Sequence, residues 1–312
     1  MRWEIVVLMN ELKYALFLGC TIPVKGLNYE LSTRRVADKI GIKFVDIPEF
    51  SCCGFPIESI HHSSAVTIAA RNLALAEARG LNIIVLCSAC GGYLIEVERL
   101  FTNKKNIEEQ KLINAKLKDM GYQYNGNVKV KHFARFLYED IGLDNLRKLI
   151  INPLKGLRIA PHYGCHYIKP SKIFDGFDDP IHPQSLDKLI EITGATSVQY
   201  MDKLQCCGGG ILAVDEETSV KMVKHKLDHI KETNADAMTL ICPFCSVMYD
   251  EFQSTVESTF ESEYNIPVLY YPQLLGLAMG LDPKKDLAVK QNQVKVTPLL
   301  EKIEKLRGNK ND

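Results

Sequence analysis

The ten cysteines of this chain fall into two sets of five with the same order and nearly the same spacing. A chain patterned this way folds as a duplicated unit with one thiol-rich site per copy. The first set is Cys20, the vicinal pair Cys52-Cys53 followed by Gly54, and Cys87-x-x-Cys90. The second is Cys165, Cys206-Cys207 followed by Gly208, and Cys242-x-x-Cys245. Between single cysteine and pair lie 31 residues in the first set (21–51) and 40 in the second (166–205). Between pair and CxxC lie 33 (54–86) and 34 (208–241). No cysteine is left over.

Three chemistries use thiols in such numbers. The stretch from Met1 to Asn10 lacks a basic start, a long apolar core and a small-residue cleavage site, so it does not read as a signal peptide. The expected setting is a cytoplasmic, reducing one, where clustered cysteines serve metal or redox chemistry rather than disulfides. Structural zinc takes four ligands in a closed tetrahedron, one fewer than each set offers, and two adjacent side chains reach a single ion with difficulty. Iron–sulfur clusters are held by cysteine thiolates and offer several irons to ligate. The count and the vicinal pair therefore favour an iron–sulfur cluster in each set, with a zinc scaffold in one half as the non-catalytic alternative.

The residues between the cysteines read as a repeated βα unit. Strands are expected at Tyr14–Cys20, Lys43–Ile47, Asn82–Cys87 and Val128–Lys131, with helices at Tyr29–Lys39, Ser64–Arg79 and Tyr93–Lys118. Gly41, Gly80 and Gly121 stand just past the helical patterns as stop signals. The second half repeats the order, with strands at Arg158–Tyr163, Ser197–Met201, Met238–Ile241 and Val268–Tyr270. Its helices are expected at Gln184–Ile192, Ser219–Thr233 and Ser246–Phe260, and trailing helices at His132–Ile141 and Tyr271–Gly280 correspond. The fold class is α/β: two pseudo-symmetric Rossmann-like repeats, each a short parallel sheet flanked by helices. Domains are expected at 12–150 and 151–283, meeting near Gly142–Gly156, with a charged tail at 284–312 that reads as a solvated helix and frayed end. Met1 to Glu11 precede the first strand, and Met9 is an alternative start. In this placement Cys20, Cys87, Cys165 and Cys242 lie at or past the carboxyl ends of strands, where open α/β sheets bind ligands. Cys90 and Cys245 then open helices that favour thiolate charge. Gly54 and Gly208-Gly209-Gly210 permit tight backbone paths near a cluster, although Gly210 reads as ordinary turn chemistry.

The strings FLGCTIP at Phe17–Pro23, FSCCGFP at Phe50–Pro56, CSACGGY at Cys87–Tyr93, PHYGCHYIKP at Pro161–Pro170, QCCGGG at Gln205–Gly210 and CPFCSVMYD at Cys242–Asp250 resemble the tandem CCG cysteine-rich domains of the B subunit of CoB–CoM heterodisulfide reductase. The similarity runs from Tyr14 to Leu281. It implies two noncubane [4Fe-4S] clusters, with Cys20, Cys52, Cys53, Cys87 and Cys90 holding one, and Cys165, Cys206, Cys207, Cys242 and Cys245 the other. It also implies CoM-S-S-CoB as the small-molecule disulfide between them. Electrons would come from a ferredoxin-like iron–sulfur C subunit, itself supplied by a flavin-containing A subunit. The same tandem pattern occurs in succinate dehydrogenase and hydroxy-acid oxidising subunits that relay electrons to a quinone or membrane carrier. That relay is the alternative reading.

The remaining residues are consistent with this chemistry. Lys+Arg and Asp+Glu number 38 each, a formal net charge of zero, which gives no electrostatic reason to expect nucleic acid. No apolar run approaches the roughly 18 residues of a membrane span. The chain has no GxGxxG, no GxxxxGK[ST] and no ferredoxin cysteine run, so a partner must deliver electrons. Splitting a disulfide takes two electrons and yields thiols that need protons. His166, beside Cys165, is the first candidate acid and His162 the second; each could instead serve as a neutral donor to the site. Lys25 and Lys169 follow the first cysteine of each set by five and four residues and are candidate cations for an anionic substrate. His61-His62 read as a cap or turn.

Overall fold

A computed structural model describes residues 12–308. The expectation placed on Met1 to Glu11 lies outside the described residues. Two parallel four-stranded sheets form the frame. The first comprises β1 (Lys13–Phe17), β2 (Lys43–Val45), β3 (Asn82–Val85) and β4 (Val130–His132), in the order β2-β1-β3-β4. The second comprises β5 (Arg158–His162), β6 (Thr196–Ser197), β7 (Ala237–Leu240) and β8 (Val268–Tyr270), in the order β6-β5-β7-β8. Phe17 is in register with Val85 as His162 is with Leu240, so the two sheets correspond strand for strand. The α/β repeat expected from the sequence is therefore the observed architecture.

Helices cover the sheets: α1 (Leu27–Ile40), α2 (His62–Glu77), α3 (Ser88–Thr102), α4 (Ile107–Asp119), α5 (Ser185–Glu191), α6 (Glu216–Glu232), α7 (Tyr271–Ala278) and α8 (Thr297–Gly308). α1 stops at Gly41, whose φ of 87° is open to glycine and whose N–H bonds Ala37 and Asp38 carbonyls. α2 and α6 start alike. His61 Nδ1 accepts from the Ser64 N–H at 3.2 Å, and Asp215, at the matching position of the second half, accepts from the Thr218 N–H at 2.9 Å.

Several elements differ from the sequence reading. The helix expected over Tyr93–Lys118 is two helices, and it begins earlier, at Ser88. The break is at Asn103, whose side chain accepts from Lys105 N–H and starts a 3₁₀ turn, the local bonding by which Asn competes with a helix. The helix expected over Ser246–Phe260 is Pro243–Ser246, a π turn Val247–Glu251 and Gln253–Thr259. The first strand ends at Phe17, because Gly19 turns the chain at φ 68°. The strand at Ser197–Met201 is only the pair Thr196–Ser197.

The segment after Pro283 packs onto both halves. Leu287, Val289, Leu299 and Ile303 are buried, while Lys302 pairs with Asp236 at 2.5 Å. α8 is thus amphipathic rather than solvated all round: its charges cover one face and conceal a buried stripe at Leu299 and Ile303.

The halves are locked together by exchanged contacts. Tyr29 of α1 stacks on Tyr270 with centroids 4.1 Å apart, and its hydroxyl donates to Ile241 O at 3.2 Å. Asn28 donates to Asn292 at 3.1 Å. In the other direction, the Arg135 guanidinium lies 4.6 Å over Phe177, and the Tyr138 edge meets the same ring. Each aromatic pair is worth about 0.5–1.5 kcal/mol beyond its buried area, and together they fix how the two sheet ends face each other.

Candidate metal centre

Each cysteine sits where its repeat turns. Cys87 and Cys242 occupy the N-cap positions of the helices that follow β3 and β7, and Cys90 and Cys245 lie in their first turns. Cys20 and Cys165 follow β1 and β5. The vicinal pairs lie on loops closed by Gly54 (φ 95°) and Gly208 (φ 81°). These two glycines are required twice over. A Cβ on Gly54 would lie 2.5 Å from the Ala65 carbonyl oxygen, and one on Gly208 would lie 3.0 Å from Ser219 Oγ, at the equivalent site in α6. With the chain turned so sharply, the Gly54 N–H faces Cys52 Sγ at 3.5 Å and the Gly208 N–H faces Cys206 Sγ at 3.4 Å.

The thiols form a single mirrored row. Cys20 neighbours Cys52, followed by Cys53, Cys90 and Cys87. Cys87 Sγ lies 3.9 Å from Cys242 Sγ, and the row continues through Cys245, Cys207, Cys206 and Cys165. Toward its two ends Cys20 and Cys206 are exposed, whereas Cys53, Cys87, Cys90, Cys207, Cys242 and Cys245 are buried. Crowding drives several neighbouring thiols of the row in opposite directions. A hydrogen bond from Cys90 pulls Cys53 down to about 7, and bonds from Cys165 and Cys207 pull Cys206 down to about 2. The donors move the opposite way: Cys207 is pushed up to about 12, and Cys90, Cys165 and Cys245 also rise. Ten neighbouring thiols cannot all ionise together unless positive charge lies among them, which is the condition a metal cluster meets.

Buried polar groups around the row point the same way. His162 Nε2, Ser88 Oγ and the Tyr249 hydroxyl are sealed from water and have no hydrogen-bond partner among the described residues. Ser88 Oγ and Cys245 Sγ both border Gly164, Tyr249 stands among Cys207 and Cys245, and His162 among Cys242 and Cys206. Leaving such donors unpaired costs about 1–3 kcal/mol each; the sulfides of an iron–sulfur cluster would accept from them. The donor set thus fits an iron–sulfur group.

Other sequence candidates are placed unequally. His166 is half-buried between the halves, its Nδ1 3.0 Å from Cys165 Sγ, its ring edge-on to Phe55 at 4.6 Å and its backbone against Gly92. Burial lowers its pKa, with the thiolates of Cys242 and Cys206 opposing. His162, the second acid candidate, has 0 % exposure and meets Lys226 Nζ at 3.3 Å through Nδ1. Burial and then that lysine hold it well below the usual histidine range. It is neutral and sealed from solvent. Lys25 is tied to Glu251 of the second half at 2.5 Å, and Lys169 is exposed.

The sequence reading did not single out Asn72 and Lys226. Asn72 Oδ1 accepts from Ser51 N–H at 3.0 Å and its Nδ2 donates to Cys52 O at 2.9 Å, which holds the first vicinal pair. Lys226, at the same place in α6, donates to Lys203 O at 3.0 Å and Gln205 O at 2.9 Å. Its signal was present: Val220, Val223, Lys226, Leu227 and Ile230 share the buried face of α6. On the outer side, His225 and His229 both approach Asp202 Oδ2, at 3.0 and 3.2 Å, and tie the second loop to α6. Arg71 of α2 and Arg79, just past its end, fasten the first loop through Glu49.

Comparison with known proteins agrees with this geometry. The model of the CCG cysteine-rich domain matches residues 14–95 and again 159–250. The chain is 38% identical over 299 residues to the B subunit of the ferredoxin:CoB-CoM heterodisulfide reductase of Methanosarcina mazei, covering 95% of this chain and 97% of that one. It is 29% identical over 289 residues to the 8-methylmenaquinol:fumarate reductase membrane anchor subunit of Wolinella succinogenes, covering 92% and 99%. Among solved structures, a hypothetical protein from Helicobacter pylori shares the fold with a TM-score of 0.75 at 19% identity, over 92% of this chain and 52% of that one. No helix among the described residues is long and apolar enough to cross a membrane. Two CCG repeats, ten converging thiols and near full-length similarity place the chain in the family of heterodisulfide reductase B subunits, an iron–sulfur family of oxidoreductase complexes.

Proposed function

We propose that this chain is the disulfide-reducing subunit of a heterodisulfide reductase complex, converting CoM-S-S-CoB, two electrons and two protons into the coenzyme M and coenzyme B thiols. The observation that carries the reading is the meeting of two complete five-thiol sets at Cys87 and Cys242, 3.9 Å apart in a buried seam. In this reading Cys20, Cys52, Cys53, Cys87 and Cys90 hold one noncubane [4Fe-4S] cluster, and Cys165, Cys206, Cys207, Cys242 and Cys245 hold the other. When bound, each cluster supplies one electron and an iron able to take one product sulfur. Gly54 and Gly208 shape the loops and aim their N–H groups at Cys52 and Cys206. In the same reading His166, between the halves and next to Cys165, protonates a product sulfur. Electrons arrive from partner subunits, a ferredoxin-like C subunit served by a flavin-containing A subunit.

The test is heterodisulfide reduction by the assembled complex carrying wild type, Cys87→Ala, Cys242→Ala or the double variant, with iron measured in each. Each single variant should lose nearly as much activity as the double, because groups acting as a unit lose function non-additively. Substantial turnover with one set demonstrably empty would favour a linear relay, the role the similarity to the fumarate reductase subunit keeps open.

A further inference from the structure

The two halves repeat each other closely around their thiols, yet they differ at two buried positions beneath the vicinal pairs. The strand residue three before the first cysteine is Phe17 in one half and His162 in the other, each in register with its neighbouring strand. The helix residue that grips the loop is Asn72 in one half and Lys226 in the other. Both Lys226 and His162 have 0 % exposure.

Lys226 carries its charge in this setting. Its ammonium meets three acceptors, Lys203 O at 3.0 Å, Gln205 O at 2.9 Å and His162 Nδ1 at 3.3 Å. Three acceptors match the three N–H donors of an ammonium. The Tyr200 ring face lies 5.8 Å away on another side. Burial lowers its pKa to about 8, and the thiolates of Cys245, Cys207 and Cys206 oppose that fall. Because Nδ1 accepts, the proton of neutral His162 is on Nε2, the unpartnered atom that lies among Cys242 and Cys206. Asn72 brings no charge to the first half and Phe17 no donor.

Adding an electron to a cluster adds negative charge, so a nearby fixed cation and an N–H donor both favour the reduced form. We propose that Lys226 and His162 make the second cysteine set the more electron-accepting of the two sites, so that the first electron delivered to the chain settles there. This inference rests on the proposed cluster in each cysteine set. Lys226 and His162 are positioning residues: they act through the cluster's potential without touching substrate. At an effective dielectric of about 20 and a separation on the order of 10 Å, one charge changes the reduced-to-oxidised ratio roughly tenfold, about 59 mV for one electron.

The experiment is an anaerobic redox titration of the full chain in its complex, followed by electron paramagnetic resonance, with iron measured on each sample. The set is wild type, Lys226→Asn, Lys226→Arg and His162→Phe; the Asn and Phe variants install the residues of the first half. Cys87→Ala and Cys242→Ala assign each signal to its half. Lys226→Asn should lower the potential of the signal lost in Cys242→Ala by about tenfold in ratio and leave the other in place. His162→Phe should lower the same signal, and Lys226→Arg should keep it near wild type. Unchanged potentials in iron-replete Lys226→Asn and His162→Phe would overturn the inference, as would a shift confined to the signal lost in Cys87→Ala. If Lys226→Asn cannot retain iron, His162→Phe against Lys226→Arg decides by the same criterion. Wild type lacking a cluster in either half would refute the cluster reading itself, a failure told apart by its iron content.

Discussion

The loop glycines allow a graded test of how the backbone builds the thiol row. At Gly54, alanine meets two penalties: a left-handed φ of 95°, which costs a residue with a Cβ about 1–2 kcal/mol, and a Cβ 2.5 Å from the Ala65 carbonyl oxygen. The second is backbone against backbone, so the start of α2 must shift; such overpacking costs about 1–3 kcal/mol. The sum is about 2–5 kcal/mol, which at about 2 °C per kcal/mol for a chain of this size lowers Tm by roughly 4–10 °C. Gly208→Ala has the same φ penalty but meets Ser219 Oγ at 3.0 Å, and should cost somewhat less. Gly209→Ala has no left-handed penalty and presses on the half-exposed Phe244 ring, which can move aside. Gly210→Ala meets nothing within 4 Å and should fall within about 0.5 kcal/mol of wild type. The assay is anaerobic thermal unfolding of the iron-loaded chain, with iron per chain measured alongside. A Gly54→Ala protein melting within about 2 °C of wild type, or a Gly210→Ala protein as damaged as Gly208→Ala, would refute this account of the CCG glycine.

Anaerobically purified protein should contain about eight irons and eight acid-labile sulfides per chain, two four-iron clusters; four irons with one zinc that persists in a His225→Ala variant would remove one cluster. The His225→Ala control is needed because Asp202, His225 and His229 form an outer trio able to hold zinc away from the thiols. Cys52→Ser or Cys206→Ser should change the cluster spectra and cut turnover by tenfold or more, since each removes one thiol of the vicinal pair; unaltered spectra with full turnover would exclude that thiol as a ligand. Asn292→Ala should destabilise the chain by about 2–4 kcal/mol, because Asn28, Gln273 and Val268 O each lose a buried partner; denaturant unfolding measures it, and a loss below about 1 kcal/mol would show that the tail does not clasp the halves.

Much of this was legible before the structure, for reasons that differ by feature. The duplicated βα order could be read because β-branched runs and glycine stops leave local marks, and the cysteine spacing located the thiols on that order. The break at Asn103 was hidden, since apolar residues continue at helical spacing on both sides of it and only a side-chain bond to Lys105 ends the first helix. The segment after Pro283 looked solvated because its charges are conspicuous, whereas burial depends on where its few apolar residues stand. Lys226 was hidden by its company: Lys221, Lys224, His225 and Lys231 make α6 read as a charged surface helix. Aligning the halves on their CCG loops pairs Lys226 with Asn72, and aligning them on their first cysteines pairs His162 with Phe17. That comparison needs only the sequence, but its meaning depends on the burial.

Duplication by itself would give two equivalent sites, and two equivalent sites have no preferred order in which to receive electrons. The thiol row and the loop glycines are shared by both halves, so the geometry proposed to hold a cluster is shared too. What is not shared lies in the layer behind the ligands, where an amide and a phenyl ring in one half face an ammonium and an imidazole in the other. These residues keep the loop-gripping contacts while changing the charge, since Lys226 bonds the Cys206 loop through two carbonyls much as Asn72 bonds the Cys52 loop. Packing therefore constrains both halves alike, and the electrostatic difference is available to set which site is reduced first. The halves cannot be studied apart, because Tyr29 of the first is packed and bonded within the second and Asn28 is bonded to Asn292 of the tail. Electron order must be read in the intact chain, one buried residue at a time.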